Sequence, residues 1–166
     1  MITQEKLLEI FEYKDGGLYW KISPAHRVKV GDRFGALNKR DNYRTGAVKS
    51  KPYREHRLIY LYHHGTLPAV LDHINRNRED NRIENLREAT YSENSRNKKG
   101  HKNNTSGSRN VSFYKRLNKW RVQLNINGKN KHFGYFLNFD EACSVAEQTR
   151  IVYYKEFAGL NNESQS

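Results

Sequence analysis

Thirty Lys and Arg against eighteen Asp and Glu give this 166-residue chain a formal charge of +12, while only 36% of its residues are hydrophobic. So large a basic excess, spread over both halves and interleaved with eleven Tyr and two Trp, favours nucleic acid over an acidic protein as partner. Cys143 is the lone cysteine, which excludes an intrachain disulfide framework and a thiolate zinc site; no apolar run approaches the roughly 20 residues of a membrane helix, and the charged N-terminus lacks a secretory leader, so a cytoplasmic protein with no membrane partner is expected.

In chain order, Leu7, Leu8, Ile10 and Phe11 recur at helical spacing behind Thr3, an N-cap residue type, and predict a short amphipathic helix ended by Gly16-Gly17. GLYWKI, RFGALNK and YRTGAVKSKPYR follow, rich in aromatic and β-branched residues and broken by Gly, Asn and Asp; they read as a small antiparallel sheet. Leu58, Ile59, Leu61 and Tyr62 then form a buried helical face over about residues 54–64, with Gly65 as the stop. The chain turns polar from Leu71 to Thr90 before the helix-compatible YSENSRNKK, giving strand, long loop, strand, helix.

GHKNNTSGS, residues 100–108, holds almost nothing that could enter a core and is expected to separate a domain at 1–99 from one at 109–159. In the second, NVSFYKR, KWRVQLNI and KHFGYF predict three strands joined through Leu117-Asn118 and Asn127-Gly128. A helix starts at Asn138, with Glu141 completing a capping box; Ala142, Val145, Ala146, Thr149, Val152 and Tyr153 make its apolar stripe, with Arg150 placed elsewhere. Residues 160–166 are too polar to fold. The expected class is therefore α+β: an N-terminal part of small antiparallel sheet and a ββα hairpin-helix, and a C-terminal three-stranded antiparallel sheet packed on one helix.

The chemistry concentrates in LDHINRNREDNRIENLREATYSENSR, residues 71–96. Asp72 and His73 are adjacent, so in an extended strand one can face a metal and the other an incoming water. Asn75, Asn77 and Asn81 read as turn formers, and His56, at the head of a core-facing helix, as structural. This segment resembles the HNH endonucleases of the Asp-His…Asn…Asn variety common in phage and intron-encoded homing enzymes, and YREHRLIYLYHHG upstream is similar to the same group. The resemblance implies a ββα-metal fold, Asp72 and Asn94 holding one Mg²⁺ or Mn²⁺, His73 as general base, and Asn85 fixing the loop that orients it. Arg76, Arg78, Arg82 and Arg87 are the candidates for holding phosphates.

NVSFYKRLNKWRVQLNINGK, KHFGYF and FDEACSVAEQTRIVYYKEF resemble the plant Apetala-two, or ethylene-response-factor, DNA-binding domain, with Asn110 standing where that family has Gly. Alternation independently puts Trp120, Val122, Leu124 and Ile126 on one face and Lys119, Arg121, Gln123 and Asn125 on the other. That second face, extended by Ser112, Tyr114 and Arg116 from the first strand and by Lys131 or His132 from the third, is expected to read duplex DNA. Together these features predict a metal-dependent, site-preferring DNA nickase of homing type, monomeric on DNA with a dimer possible. The competing expectations are a non-enzymatic DNA-binding regulator whose hairpin is only structural and, behind it, an RNA-binding protein.

Overall fold

The computed structural model describes residues 2–97 and 104–159. The chain divides into two compact units, residues 1–91 and 92–166. Among the described residues the architecture is mixed α/β, with four small antiparallel sheets and four α-helices.

The first unit opens with α1 (Gln4–Ile10), capped as its sequence predicts: Thr3 accepts the Lys6 N–H through its side chain. The helix is shorter than expected, because Phe11 leaves it in extended conformation and starts β1 (Phe11–Lys14), which pairs with β2 (Gly17–Trp20). Asp15 and Gly16 both take positive φ, 47° and 75°, so an Asp-Gly hairpin turn forms where a helix stop was expected. The strands that follow form a second sheet, β3 (Ala36–Asn38), β4 (Tyr43–Val48) and β5 (Lys51–Arg54), and the segment just before it is tied to β2 by an isolated bridge from Tyr19 to Arg33 and by the Phe34 N–H on the Leu18 carbonyl. One N-terminal sheet was expected and there are two.

The helix expected over 54–64 is α2 (Glu55–His64), ended by Gly65 at φ 70°, whose N–H returns to the Leu61 carbonyl. Leu58, Ile59 and Leu61 from α2 pack with Leu7, Ile10, Phe11, Leu18, Trp20 and Phe34 into the core, where the Phe11 ring lies 4.3 Å from Trp20 and 5.4 Å from Phe34. Beyond α2, β6 (Val70–His73) and β7 (Leu86–Ala89) form an antiparallel hairpin closed by a loop and a 3-10 turn at Ile83–Asn85, and α3 (Tyr91–Asn97) follows in sequence.

In the second unit, β8 (Val111–Tyr114), β9 (Lys119–Ile126) and β10 (Lys129–Phe136) form one sheet with β9 central. Asn127 and Gly128, at φ 52° and 79°, make the tight turn expected of Asn-Gly. Asn110 takes φ 67°, a conformation Asn tolerates better than most residues, and its Nδ2 donates across to the Gln123 carbonyl. Of the expected 100–108 boundary, residues 100–103 lie outside the described residues, as does the tail at 160–166, while residues 104–108 form a hydrogen-bonded turn in which Ser106 Oγ donates to the Val111 carbonyl.

Helix α4 (Phe139–Tyr154) begins as expected, with Asn138 Oδ1 accepting the Asp140 and Glu141 N–H groups. Its buried stripe is rotated from expectation: Ala142, Ala146, Arg150 and Tyr154 face inward while Val152 is 67% exposed. Arg150 can line a core because its stem is apolar and its guanidinium donates to the Arg109 carbonyl at 3.1 Å.

Candidate active site

All four β6 residues are buried, and the hairpin register sets their neighbours: Asp72 faces Arg87 and His73 faces Leu86 across the strands. Directly opposed residues share a face, so Asp72 and Arg87 project to one side and His73 to the other. Arg87 Nε and Nη2 both donate to Asp72 Oδ2, at 2.9 and 2.8 Å, in an ion pair whose side chains are 12% and 6% exposed. Arg87, expected at phosphate, is thus engaged with the carboxylate expected to hold metal.

Asn85 ties the loop together. Its Oδ1 accepts the Asn75 N–H, its Nδ2 donates to Asn75 Oδ1 and to the Asp80 carbonyl, and its own carbonyl accepts the Ile74 N–H, all between 2.7 and 2.9 Å. It therefore fastens the residues immediately after His73 without touching the imidazole. Asn75 and Asn77 form the side-chain-to-backbone turns expected of them, to the N–H groups of Asn77 and Glu79. Arg82 is locked onto Asp80 by two side-chain bonds, which hold the Asp80 carboxyl down at about 2.

Asn81 departs from the turn-former reading. It is 2% exposed, its Oδ1 stands 2.9 Å from His73 Nε2, and its Nδ2 donates to the wholly buried Glu55 at 3.0 Å. His56, read as structural, also belongs here: its ring centroid is 5.1 Å from that of His73, and Tyr43 lies 4.9 Å from His56 and 5.9 Å from His73. Sequence held a faint signal for His56, a histidine at the head of the helix before the motif, and none for Asn81 beyond its place in the loop; only the fold brings them together.

Burial sets the electrostatics. It pushes the His73 imidazole below its ordinary value, against the opposing pull of the Asn81 bond and the Asp72 charge. The His56 imidazole falls further, to about 3, through burial and then through His73, Arg54 and Arg57. Both rings are thereby neutral near pH 7. Beside them, the Tyr43 ring carries the guanidinium of Arg54 at 4.3 Å and that of Arg78 at 5.0 Å, and Arg78 also donates to the Asp41 carbonyl. Arg78 stands near enough to His73, and Arg54 to His56, to disfavour charge on those rings, and Arg54 is itself ion-paired with Asp41 at 3.2 Å. Arg76, at φ 63°, is half-buried in the loop with its N–H on the His73 carbonyl.

Asn94 lies on α3, in the second unit. In the β8–β10 sheet, Ser112, Arg121 and Tyr135 stand in one cross-strand row, as do Gln123 and His132. Tyr114 pairs with Lys119 and stacks 5.4 Å from Tyr135, and Arg121 lies over the Tyr114 ring. Asn125 continues this outer face, and Arg116 sits in the 3-10 turn at Lys115–Leu117 rather than in a strand. Lys131 does not share the face: it pairs with buried Leu124 and donates to Tyr153 Oη of α4 at 3.0 Å, so His132 is the residue that continues the outer row. The register slips between His132 and Tyr135, at Gly134.

An HNH endonuclease family model matches residues 53–96, from β5 to α3. The chain is 35% identical over 85 residues to Protein 3.8 of Escherichia phage T7, an alignment covering 50% of this chain and 70% of that protein. No solved structure matches the chain. No helix among the described residues is long and apolar enough to cross a membrane. A buried Asp-His strand, a polar loop closed by Asn85 and a return strand thus lie inside the matched segment, and the chain belongs to the HNH endonuclease family, with its HNH domain at residues 53–96.

Proposed function

We propose that this protein is a divalent-metal-dependent DNA endonuclease of homing type that nicks duplex DNA at preferred sites, with His73 as general base. The observation that carries the reading is the His73 imidazole, buried, neutral and held by a side-chain bond on the face of β6 opposite Asp72. A neutral imidazole can take a proton from water attacking phosphorus. Asn85 serves by fastening the loop, and Arg78 on Tyr43 steadies the scissile phosphate.

Asp72 and Asn94 would hold the cation. Both offer oxygen, which suits Mg²⁺ or Mn²⁺. Two protein oxygens suffice for a Mg²⁺ site that relies on water and phosphate oxygens for its other ligands. When bound, such a cation neutralises charge on the phosphate and on the leaving 3′ oxygen. Products with 5′ phosphate and 3′ hydroxyl follow.

The second unit would position the enzyme through the outer face of its sheet, Ser112, Tyr114, Lys119, Arg121, Gln123 and Asn125, laid on duplex DNA as in the Apetala-two arrangement it resembles. The other reading, a DNA-binding regulator with a structural hairpin, draws on one observation, the Arg87 ion pair on Asp72. Supercoiled plasmid incubated with Mg²⁺ separates the two. The enzyme yields open-circle product that EDTA prevents, and His73→Ala loses it while still binding DNA. Plasmid left intact by the wild-type protein favours the regulator, and cleavage persisting in His73→Ala removes His73 as base.

A further inference from the structure

A single file of hydrogen bonds runs from Arg33 through Glu55 and Asn81 to His73, and its direction is fixed at the buried end. Glu55 is 0% exposed at the head of α2. Its Oε1 accepts the Leu18 N–H at 3.1 Å and Arg33 Nε–H at 3.2 Å, and its Oε2 accepts Arg33 Nη2–H and Asn81 Nδ2–H, both at 3.0 Å. Backbone amide and guanidinium have no acceptor to offer, so Glu55 is cast as acceptor throughout.

The consequence passes along the file. Because Glu55 accepts, Asn81 must turn its amide nitrogen toward it and its amide oxygen toward His73; the orientation of this amide is set by chemistry, where an isolated Asn could be flipped. An amide oxygen only accepts, so the hydrogen of the 2.9 Å contact belongs to His73 Nε2. A neutral imidazole carries one N–H, and its lone pair then resides on Nδ1.

We propose that Asn81, polarised by Glu55, is a positioning residue that fixes His73 in the Nε2–H tautomer and so presents Nδ1 as the proton-accepting nitrogen. The inference rests on the reading of His73 as base. It assigns the base atom, and it gives roles to three residues outside the Asp-His…Asn…Asn set: Asn81 orients the ring, Glu55 orients Asn81, and Arg33 holds Glu55 with the Leu18 N–H. The β1–β2 turn supports the same file, because Arg33 Nη2 also donates to the Gly16 carbonyl, and a Cβ on Gly16 would stand 2.8 Å from the Arg82 nitrogen, immediately after Asn81. An imidazole in water samples both tautomers, whereas one held by this file is confined to the form able to receive a proton at Nδ1.

The test is a two-bond ¹⁵N–¹H correlation spectrum of the full-length protein near pH 7.5, with His73 assigned by its loss in His73→Ala. The wild type is expected to show His73 as Nε2–H alone. Asn81→Ala is expected to show a mixed or exchange-broadened pattern, with kcat for plasmid nicking lowered roughly 10- to 100-fold and KM nearly unchanged. A wild-type proton on Nδ1 overturns the proposal, and so does an Asn81→Ala protein with wild-type spectrum and kcat. The wild-type spectrum decides the tautomer even where the variant fails to fold. Nicking retained by His73→Ala instead defeats the assignment of the base, a separate outcome that the spectrum does not touch.

Discussion

Two imidazoles packed edge to face in a buried pocket make acid the natural enemy of this fold. Protonating His56 would place a charge beside His73, Arg54 and Arg57, with no hydrogen-bond partner for Nδ1 among the described residues. Its value falls from 6.5 to about 3 on folding, so between those limits the unfolded chain binds a proton that the folded chain refuses, and stability rises with pH across that window. Each such group contributes a slope approaching about 1.4 kcal/mol per pH unit. His73 adds to it in the same direction. Urea midpoints measured from pH 4.5 to 7.5 should climb and then level off above about 6.5, and His56→Asn should flatten the climb. A midpoint that falls as pH rises through this range would contradict the burial argument.

At the level of the element, the β6–β7 hairpin and the β8–β10 sheet differ in how they are fixed. The β6–β7 hairpin is short, and its loop keeps its shape through Asn85, Asp80 and Asn75 and through Tyr13 Oη, which accepts the Ile83 N–H from the β1 side. The β8–β10 sheet is instead governed by alternation along β9, and the slip at Gly134 decides which β10 residues join its outer face. Replacing Arg121 and Gln123 together by Ala should relax site preference on a library of nicking substrates while low-salt nicking of non-specific DNA persists. Lys131→Ala should leave the preference intact, because Lys131 is bonded to Tyr153 on the helix side. The opposite pattern would move DNA reading off this face.

Across the whole molecule, a formal +12 with no compensating acidic segment predicts binding that salt weakens steeply. If the basic surfaces meet about six phosphates, affinity for non-specific duplex should drop about 10³-fold between 50 and 200 mM salt, a slope measurable by fluorescence anisotropy. A nearly flat slope would mean that the charge serves something other than DNA. Much of the architecture was legible locally: Gly65 ended α2, Asn138 capped α4, and Asn127-Gly128 turned β9 into β10, because each acts through its own backbone. What escaped reading depends on distant partners. Phe11 reads as helix until the Asp15-Gly16 turn gives it a strand to pair with; Arg150 reads as solvated until the Arg109 carbonyl receives it; Lys131 and His132 cannot be told apart until the slip at Gly134 is seen. In the site, the Asp-His pair and Asn85 announced themselves by spacing, whereas Asn81 gains meaning only when Glu55, 26 residues earlier, arrives beside it.

The buried carboxylate of Glu55 has one further implication. Two of its anchors, the Leu18 amide and Arg33, lie outside residues 53–96, as does the Gly16 turn that leans on the loop. The stretch that defines the family is therefore not a portable cassette: grafted alone into another scaffold it would carry every signature side chain and still lack the brace that aims them.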